Sequence, residues 1–286
     1  MFNRRKRKKA RRRVLAIFIT VLLLVFYAFV YSNTVVVADE YRVSIKDLPA
    51  AFEGYRIAIV SDVHGNTFGE DNENLLEPLR EQRPDIIAIT GDLCDRKYPP
   101  DAIPGLLAQL VEIAPVYYVT GNHEWAAKYV DTMMGLCEEF GITPLRNEYI
   151  LLQEGEDSLI LAGIDDKNAY ADMKTPEQLM DEIVAEHGDE PTVLLSHRPD
   201  LIRDFWVMGY DLVLTGHVHG GIVQIPGVGG LVAPSRKLWP EFSKGLYTAP
   251  NGSSLVVSAG LAGIHLKQPR LFNPLHVPIV ILEGAE

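Results

Sequence analysis

"DLVLTGHVHGG", residues Asp211–Gly221, decides how the chain is read. An apolar run ends in Thr-Gly and then presents two histidines separated by one valine. In extended chain, positions two apart point to the same side, so His217 and His219 aim together beyond the end of this run. A lone pair of this kind is more often a solvated turn than a set of ligands. The rest of the chain has to decide.

Four other stretches share the form: "YRIAIVSDVHGN" (55–66), "DIIAITGDLCD" (85–95), "PVYYVTGNHEW" (115–125) and "TVLLSHRPD" (192–200). Each apolar run ends in a small residue or Ser/Thr and then in Asp, Asn or His. Continuous runs of this type read as strands buried on both faces. Between them lie helical patterns at 71–82, 101–112, 124–140, 175–187 and 199–208, with starts at Asp71 and at Thr175, which Pro176 follows. Strands alternating with helices imply βαβ units and a largely parallel sheet. "YILLQEGEDSLILAGID" (149–165) reads as a hairpin. The Gly- and Pro-rich tail, Gly221–Leu282, reads as antiparallel β with short strands at "GIVQI", "GLYTA", "SLVVSA" and "PIVIL". The sum is an α/β protein with two sheets, or with one sheet extended by hairpins.

Ligands of such sheets bind beyond the carboxyl ends of the strands. There the five runs place Asp62, His64, Asp92, Asn122, His123, His197, His217 and His219. One such residue is an ordinary helix cap; five coordinated cases describe a shared site. Carboxylates, imidazoles and an amide oxygen without cysteine suit divalent ions such as Mn, Fe, Co, Ni or Zn. Eight candidates exceed one tetrahedral ion's needs and fit two ions with a carboxylate between them. Two metals roughly 3.5–4 Å apart are a recurring device for in-line displacement at phosphorus.

In this order, "DVH", "GD", "GNHE", "SH" and "GHVH" resemble the calcineurin-like metallophosphoesterase superfamily. Together with the N-terminal segment described below, they are similar to its membrane-associated YaeI/YkuE-like branch. The match runs from about Gly54 to Gly221, with a looser echo to the C-terminus. The resemblance implies a four-layer α/β/β/α sandwich with two mixed β-sheets and the metals at its strand ends. It implies that Asp62, His64 and His219 bind the first ion, that Asn122, His197 and His217 bind the second, and that Asp92 bridges them. A water between two cations loses its proton near neutral pH and attacks phosphorus. His123, off the metals, would protonate the leaving oxygen or stabilise its charge, oriented by Glu124 or Asp95. Manganese is the favoured ion; Fe, Zn, Co and Ni suit the same ligands. Arg198, His265 and Asn66 are the candidate substrate contacts. Arg236, Lys237 and Arg270 read first as solvated surface charge, and His187 as an ordinary helix-end cation. Asp95 stands where purple acid phosphatases carry an iron-binding tyrosine, which argues against that branch. Ala259 and "NPLHVP" also depart from related sequences.

The 286 residues are 47% hydrophobic and 23% charged, values of a globular chain with a sizeable core. Nine Lys/Arg and no acid precede Val14, which leaves 18 bases against 38 acids in the remainder. A body this acidic argues against a general nucleic-acid partner. "VLAIFITVLLLVFYAFVY", Val14–Tyr31, is eighteen uncharged residues, long enough as a helix to cross a hydrocarbon core of about 30 Å. A cleaved signal peptide is the alternative, but no prompt cleavage site follows. The expected organisation is a basic cytoplasmic tail at 1–13, an anchor at 14–31, a connector with a short strand at 32–53 and a catalytic domain at 54–286. The basic cluster leaves the N-terminus cytoplasmic and the domain outside the cell membrane, single-pass. Cys94 and Cys137 read as free thiols, with one disulfide as the alternative.

The expected function is a membrane-anchored binuclear-metal phosphodiesterase or pyrophosphate hydrolase, with a monomeric catalytic domain. It would act on lipid-linked or cell-envelope phosphoesters by metal-hydroxide attack on phosphorus. A non-catalytic metal-binding scaffold and a phosphomonoesterase are the alternatives. A zincin protease fails, because Ala127 stands where its second histidine is required. The glycine-rich loop 228–242, with Leu231, Val232, Leu238, Trp239 and Phe242, reads either as a lid or as a packed surface loop.

Overall fold

A computed structural model describes residues 2–172, 174–200 and 207–285. Of the helix expected at 199–208, residues 201–206 lie outside the described residues. A long helix, α1 (Phe2–Thr34), comes first and exposes its apolar side chains from Val14 to Tyr31. It is long and apolar enough to cross a membrane.

Fourteen strands follow in the described residues: β1 (Val36–Ile45), β2 (Arg56–Val60), β3 (Ile86–Ile89), β4 (Val116–Tyr118), β5 (Thr143–Pro144), β6 (Glu148–Glu154), β7 (Asp157–Gly163), β8 (Thr192–Leu195), β9 (Leu212–Thr215), β10 (Gln224–Ile225), β11 (Gly229–Gly230), β12 (Gly245–Thr248), β13 (Ser254–Val257) and β14 (Leu275–Gly284). One six-stranded sheet has the order β1-β14-β2-β3-β4-β5, the other β12-β13-β9-β8-β7-β6. Both are mixed, and β6–β7 is the expected hairpin. The tail departs from the antiparallel expectation. β13 runs parallel to β9, and β14 runs parallel to β1 and antiparallel to β2. The stretch read as a connector supplies β1, which pairs with β14 over ten residues, Val36↔Leu275 to Ile45↔Gly284. No local periodicity announces a partner so far along the chain.

Alternation along the strands builds the layers. In β2, Ile57 and Ile59 turn inward to meet Leu212 and Leu214 of β9 in a core between the sheets. Ala58 and Val60 turn outward onto helices α2 (Glu73–Glu81), α3 (Pro104–Val111) and α5 (Val130–Phe140). On the second sheet, Val213 and Leu194 face α6 (Pro176–His187), through Leu179 and Ile183. The result is the α/β/β/α sandwich. Thr175 caps α6 as expected: its Oγ1 accepts from Gln178 N, while Gln178 Oε1 accepts from Thr175 N.

The helix expected at 124–140 is two helices. A short α4 (Asn122–Ala127) ends where Lys128 turns left-handed (φ 63°), and α5 restarts two residues later. Cys94 and Cys137 are free and buried, so the disulfide alternative is excluded.

At the far end of β9 from the histidines, Asp211 Oδ2 accepts from Thr192 N (2.8 Å). Burial nevertheless pushes its carboxyl up to about 6. The folded chain therefore holds this proton more tightly than the unfolded chain, so the group's contribution to stability falls as pH rises from about 4 through 6. Asp211→Asn, which keeps an acceptor oxygen, is expected to stabilise the protein by ~1–2 kcal/mol at pH 8 and not below about pH 4. Thermal unfolding at both pH values checks this; a difference that does not vary with pH refutes it.

Candidate metal centre

Strands β2, β3 and β4 are parallel neighbours in one sheet, and β8 and β9 are parallel neighbours in the other. All five carboxyl ends therefore open onto the same edge of the sandwich. The turns that follow them are sharp. Asp62 (φ 52°), His64 (φ 49°), Asp92 (φ 55°), His217 (φ 70°) and His219 (φ 49°) all adopt the left-handed region. Non-glycine residues rarely do so, and such strain concentrates at functional sites. Two glycines allow the loops to meet: a Cβ on Gly216 would lie 1.9 Å from Ser61 Oγ, and one on Gly121 would lie 2.2 Å from Asp92 Oδ1.

The side chains converge in three groups whose donor atoms lie within 4.8 Å of one another: Asp62, His64 and His219; Asp92, His197 and His217; and His64, Asp95 and His123. Asp92 Oδ2 lies 3.2 Å from His197 Nε2, 3.7 Å from His64 Nε2 and 4.0 Å from His123 Nε2. It thus stands between the two sets. Asn122 Oδ1 is 3.2 Å from His197 Nε2, and His219 Nε2 is 3.3 Å from Asp62 Oδ1. All eight residues of the sequence-derived set meet here.

Supporting contacts fix which ring atom is offered. His197 Nδ1 donates to Thr90 O (2.7 Å), which leaves Nε2 to face Asp92 and Asn122 and ties the two sheets together. His219 Nδ1 lies 2.9 Å from Gln268 Oε1, which aims Nε2 at Asp62. Orientation of this kind tunes ligand imidazoles. Arg198 donates to Asp166 (2.5 Å) and to His217 Nε2 (2.9 Å), which leaves His217 Nδ1 facing His197 Nε2 at 3.1 Å.

Whether these residues suit metal ions is answered by His64. Its ring is 1% exposed, and neither nitrogen has a hydrogen-bond partner. Its Nδ1 and Nε2 face the carboxylates of Asp95 (3.4 Å) and Asp92 (3.7 Å) without a hydrogen bond, and a buried imidazole so placed is costly unless something else takes a lone pair. The electrostatics agree. Burial would raise the Asp62 carboxyl, but His219 and His197 hold it well below the usual range. Burial likewise opposes the charge on His197, yet Asp92 and Asp62 push it up to about 10. A field that holds a proton on a buried ring favours a cation in its place.

Other expectations meet the geometry differently. Glu124 does not orient His123. Fully buried, its carboxylate accepts from the backbone N–H of Asp92 (3.0 Å), Leu93 (2.7 Å), Cys94 (3.3 Å) and Gly121 (2.8 Å), which clamps the "GD" turn to the "GNHE" turn. Asp95 turns to His64 Nδ1 (3.4 Å), not to His123. His123 itself is half-exposed at the rim, with its backbone N–H on Asp92 Oδ1 (2.8 Å). Burial, with a smaller push from the His64 ring, lowers its pKa. Arg270 is not surface charge: it is 1% exposed and donates to backbone carbonyls. Asn66 Nδ2 donates to Leu261 O (2.9 Å). His265, half-buried, stacks edge-on against Tyr98 (5.2 Å), and burial followed by the nearby His64 ring lowers it to about 4. Lys237 lines a cleft of about 400 Å³ beside His217, together with Lys167, Arg198, Pro234 and Phe242. The 228–242 loop forms one wall of that cleft through Ala233, Pro234, Ser235, Lys237, Pro240, Glu241 and Phe242, while Leu238 and Trp239 stay exposed. Gln268 and Asp166 were invisible in the sequence. Gln268 sits in an irregular tail, and Asp166 follows a hairpin strand that carried no motif.

Residues 55–221 match the family model for calcineurin-like phosphoesterases. The chain is 30% identical over 240 residues to the Bacillus subtilis protein named uncharacterized metallophosphoesterase YkoQ, covering 81% of this chain and 87% of that one. It is 27% identical over 259 residues to the B. subtilis uncharacterized metallophosphoesterase YkuE, covering 87% and 86%. With the Danio rerio transmembrane protein with metallophosphoesterase domain it shares 31% identity over 224 residues, 74% of this chain and half of that protein's length.

The Glu124 clamp has a direct test. Glu124→Ala leaves four buried backbone donors without an acceptor and is expected to cost roughly 3 kcal/mol or more. Urea unfolding of the two proteins measures this, and an unchanged midpoint sinks the clamp.

Proposed function

The chain belongs to the calcineurin-like phosphoesterase family, and from that premise we propose that it is a membrane-anchored binuclear-metal phosphoesterase. Its substrates would be phosphodiesters or pyrophosphates, lipid-linked or of the cell envelope. The observation that carries this reading is the convergence of donors from five strand ends around the buried ring of His64, neither nitrogen of which makes a hydrogen bond. Asp62, His64 and His219 would hold one divalent ion, Asn122, His197 and His217 the other, and Asp92 both, with manganese the favoured metal. Two such ions supply an activated water and positive charge to oppose the charge that develops on the phosphoryl oxygens.

The chain's own groups would do the rest. His123 stands at the rim, 4.0 Å from Asp92, and in this reading stays off both metals and protonates the leaving oxygen. Arg198, held by Asp166, opens onto the 400 Å³ cleft with Lys167 and Lys237. Lys167 is paired with Asp200 (3.2 Å) and Glu241 stands on the loop wall, so Arg198 and Lys237, over the apolar walls of Pro234 and Phe242, are the groups that suit a substrate with anionic and apolar parts.

In this reading residues 14–31 cross the bilayer, 1–13 stay cytoplasmic, and the catalytic domain, 54–286 together with β1 from the 32–53 stretch, works outside as a monomer. The exposed apolar surface of α1, the basic cluster before it and the printed name of the zebrafish relative support the anchor. Exposed Ile264 and Phe272 lie on the loop next to the end of α1, where an interface would receive them.

The test is turnover of bis(p-nitrophenyl) phosphate, p-nitrophenyl phosphate and a lipid pyrophosphate by detergent-solubilised protein, with Mn²⁺ or with chelator. Diester or pyrophosphate hydrolysis that needs Mn²⁺ is expected. Asp92→Ala should abolish it, and His123→Ala should lower kcat by about 10²–10⁴-fold while metal content stays unchanged. Preference for the monoester would make the protein a phosphomonoesterase, and bound metal without turnover would make it a scaffold.

A further inference from the structure

The last turn of α1 is hydrogen-bonded into the catalytic domain. Ser32, 1% exposed, accepts on Oγ from Asn273 N (3.1 Å). Asn33 grips one residue from both sides: its Oδ1 accepts from Arg270 N (3.0 Å), and its Nδ2 donates to Arg270 O (2.9 Å). Both partners act inward. Asn273 Nδ2 donates to His219 O (2.8 Å) and to Ile222 O (3.1 Å). The buried Arg270 guanidinium donates to the carbonyls of Ala259 (2.6 Å), Gly260 (3.1 Å), Ala262 (2.5 Å) and Pro274 (3.3 Å).

The loop so gathered, 259–273, backs one half of the centre. A Cβ on Gly260 would lie 2.7 Å from Asp62 Cβ, so this turn is pressed directly against that carboxylate. Leu261 N donates to Ser61 O (3.0 Å), and Leu261 O accepts from Asn66 Nδ2 (2.9 Å), which brackets His64. Gln268 reaches His219. None of these contacts touches Asn122, His197 or His217, whose supports are Thr90 O, Arg198 and, for the His217 N–H, the Asp62 carboxylate (2.9 Å).

We propose that the last turn of α1 is a positioning element for the Asp62–His64–His219 site, so that the anchor and this half of the centre form one unit, which meets the other half only where His217 N–H reaches Asp62 and at the shared Asp92. The inference rests on the metal roles proposed above. An anchor built in this way is part of the folded enzyme, because removing Ser32 and Asn33 would release the loop that aims these ligands.

The experiment is Mn²⁺ titration of the full chain in detergent micelles, by calorimetry, for wild type and for Ser32→Ala/Asn33→Ala, with thermal unfolding alongside. Wild type should show two ions. The variant should bind one of them roughly tenfold or more weakly, the usual cost of losing outer support, and the other unchanged. Equal weakening at both sites would mean general loosening and would overturn the proposal, as would unchanged binding at both. If wild type binds no Mn²⁺, the metal reading itself fails and the inference falls with it. Should the double variant fail to fold, Ser32→Ala alone carries the same asymmetric expectation.

Discussion

Two carboxylates, Asp62 at 0% and Asp92 at 1% exposure, stand where the two sheets meet, and their burial constrains everything around them. An ionised carboxylate without a partner in such a place costs several kcal/mol. Protonation would relieve the cost but would also remove the ligands. The structure takes the other course and surrounds both with donors. Ser61 Oγ (2.8 Å) and His217 N (2.9 Å) reach Asp62, while His123 N (2.8 Å) and His197 Nε2 (3.2 Å) reach Asp92. The negative charge that remains suits the site to cations.

Bringing that many groups to two carboxylates forces the backbone. Strands end in the plane of a sheet, whereas the donors must fold back across its edge within one or two residues. Hence five of the seven proposed ligands take positive φ, and glycines stand where loops from different strands touch. Strain of this kind persists only where the surroundings hold it. Glu124 does so for the Asp92 turn with four backbone hydrogen bonds, while Thr90 O fixes the His197 ring across the gap between sheets. The cost of the turns is thus met by contacts that no single motif contains.

That division explains what the sequence could tell. The donor set was legible because each member follows a short apolar run, and parallel strands deliver their carboxyl ends to one edge whatever the order of the sheet. The sandwich followed from alternation within those runs. The pairing of Val36–Ile45 with Leu275–Gly284 was not legible, since its partners are more than two hundred residues apart and neither strand carries a motif. Glu124 looked like any first-turn helix acid, and only the approach of the "GD" turn gives it another role. Arg270 looked like surface charge because its partners are carbonyls, and carbonyls leave no mark in a sequence. The break at Lys128 was hidden because residues on both sides of it favour helix.

The two halves of the centre also differ in where their support originates. The supports of Asp92, Asn122, His197 and His217 come from Thr90, Glu124, Asp166 and Arg198, all within the segment 55–221 that matches the family. Asp62 and His64 take part of their support from Ser61, His217 and Asp92 within it, but Asp62, His64 and His219 also lean on Gly260, Leu261, Gln268 and Asn273, all beyond it. The motifs that identify the family therefore bring along the environment of one half and only part of the other's. The other half is finished by an irregular tail that is in turn held by the end of a long apolar helix. A chain can keep all seven proposed ligands and still differ in how tightly that half is held, because part of what holds it lies where the family pattern stops.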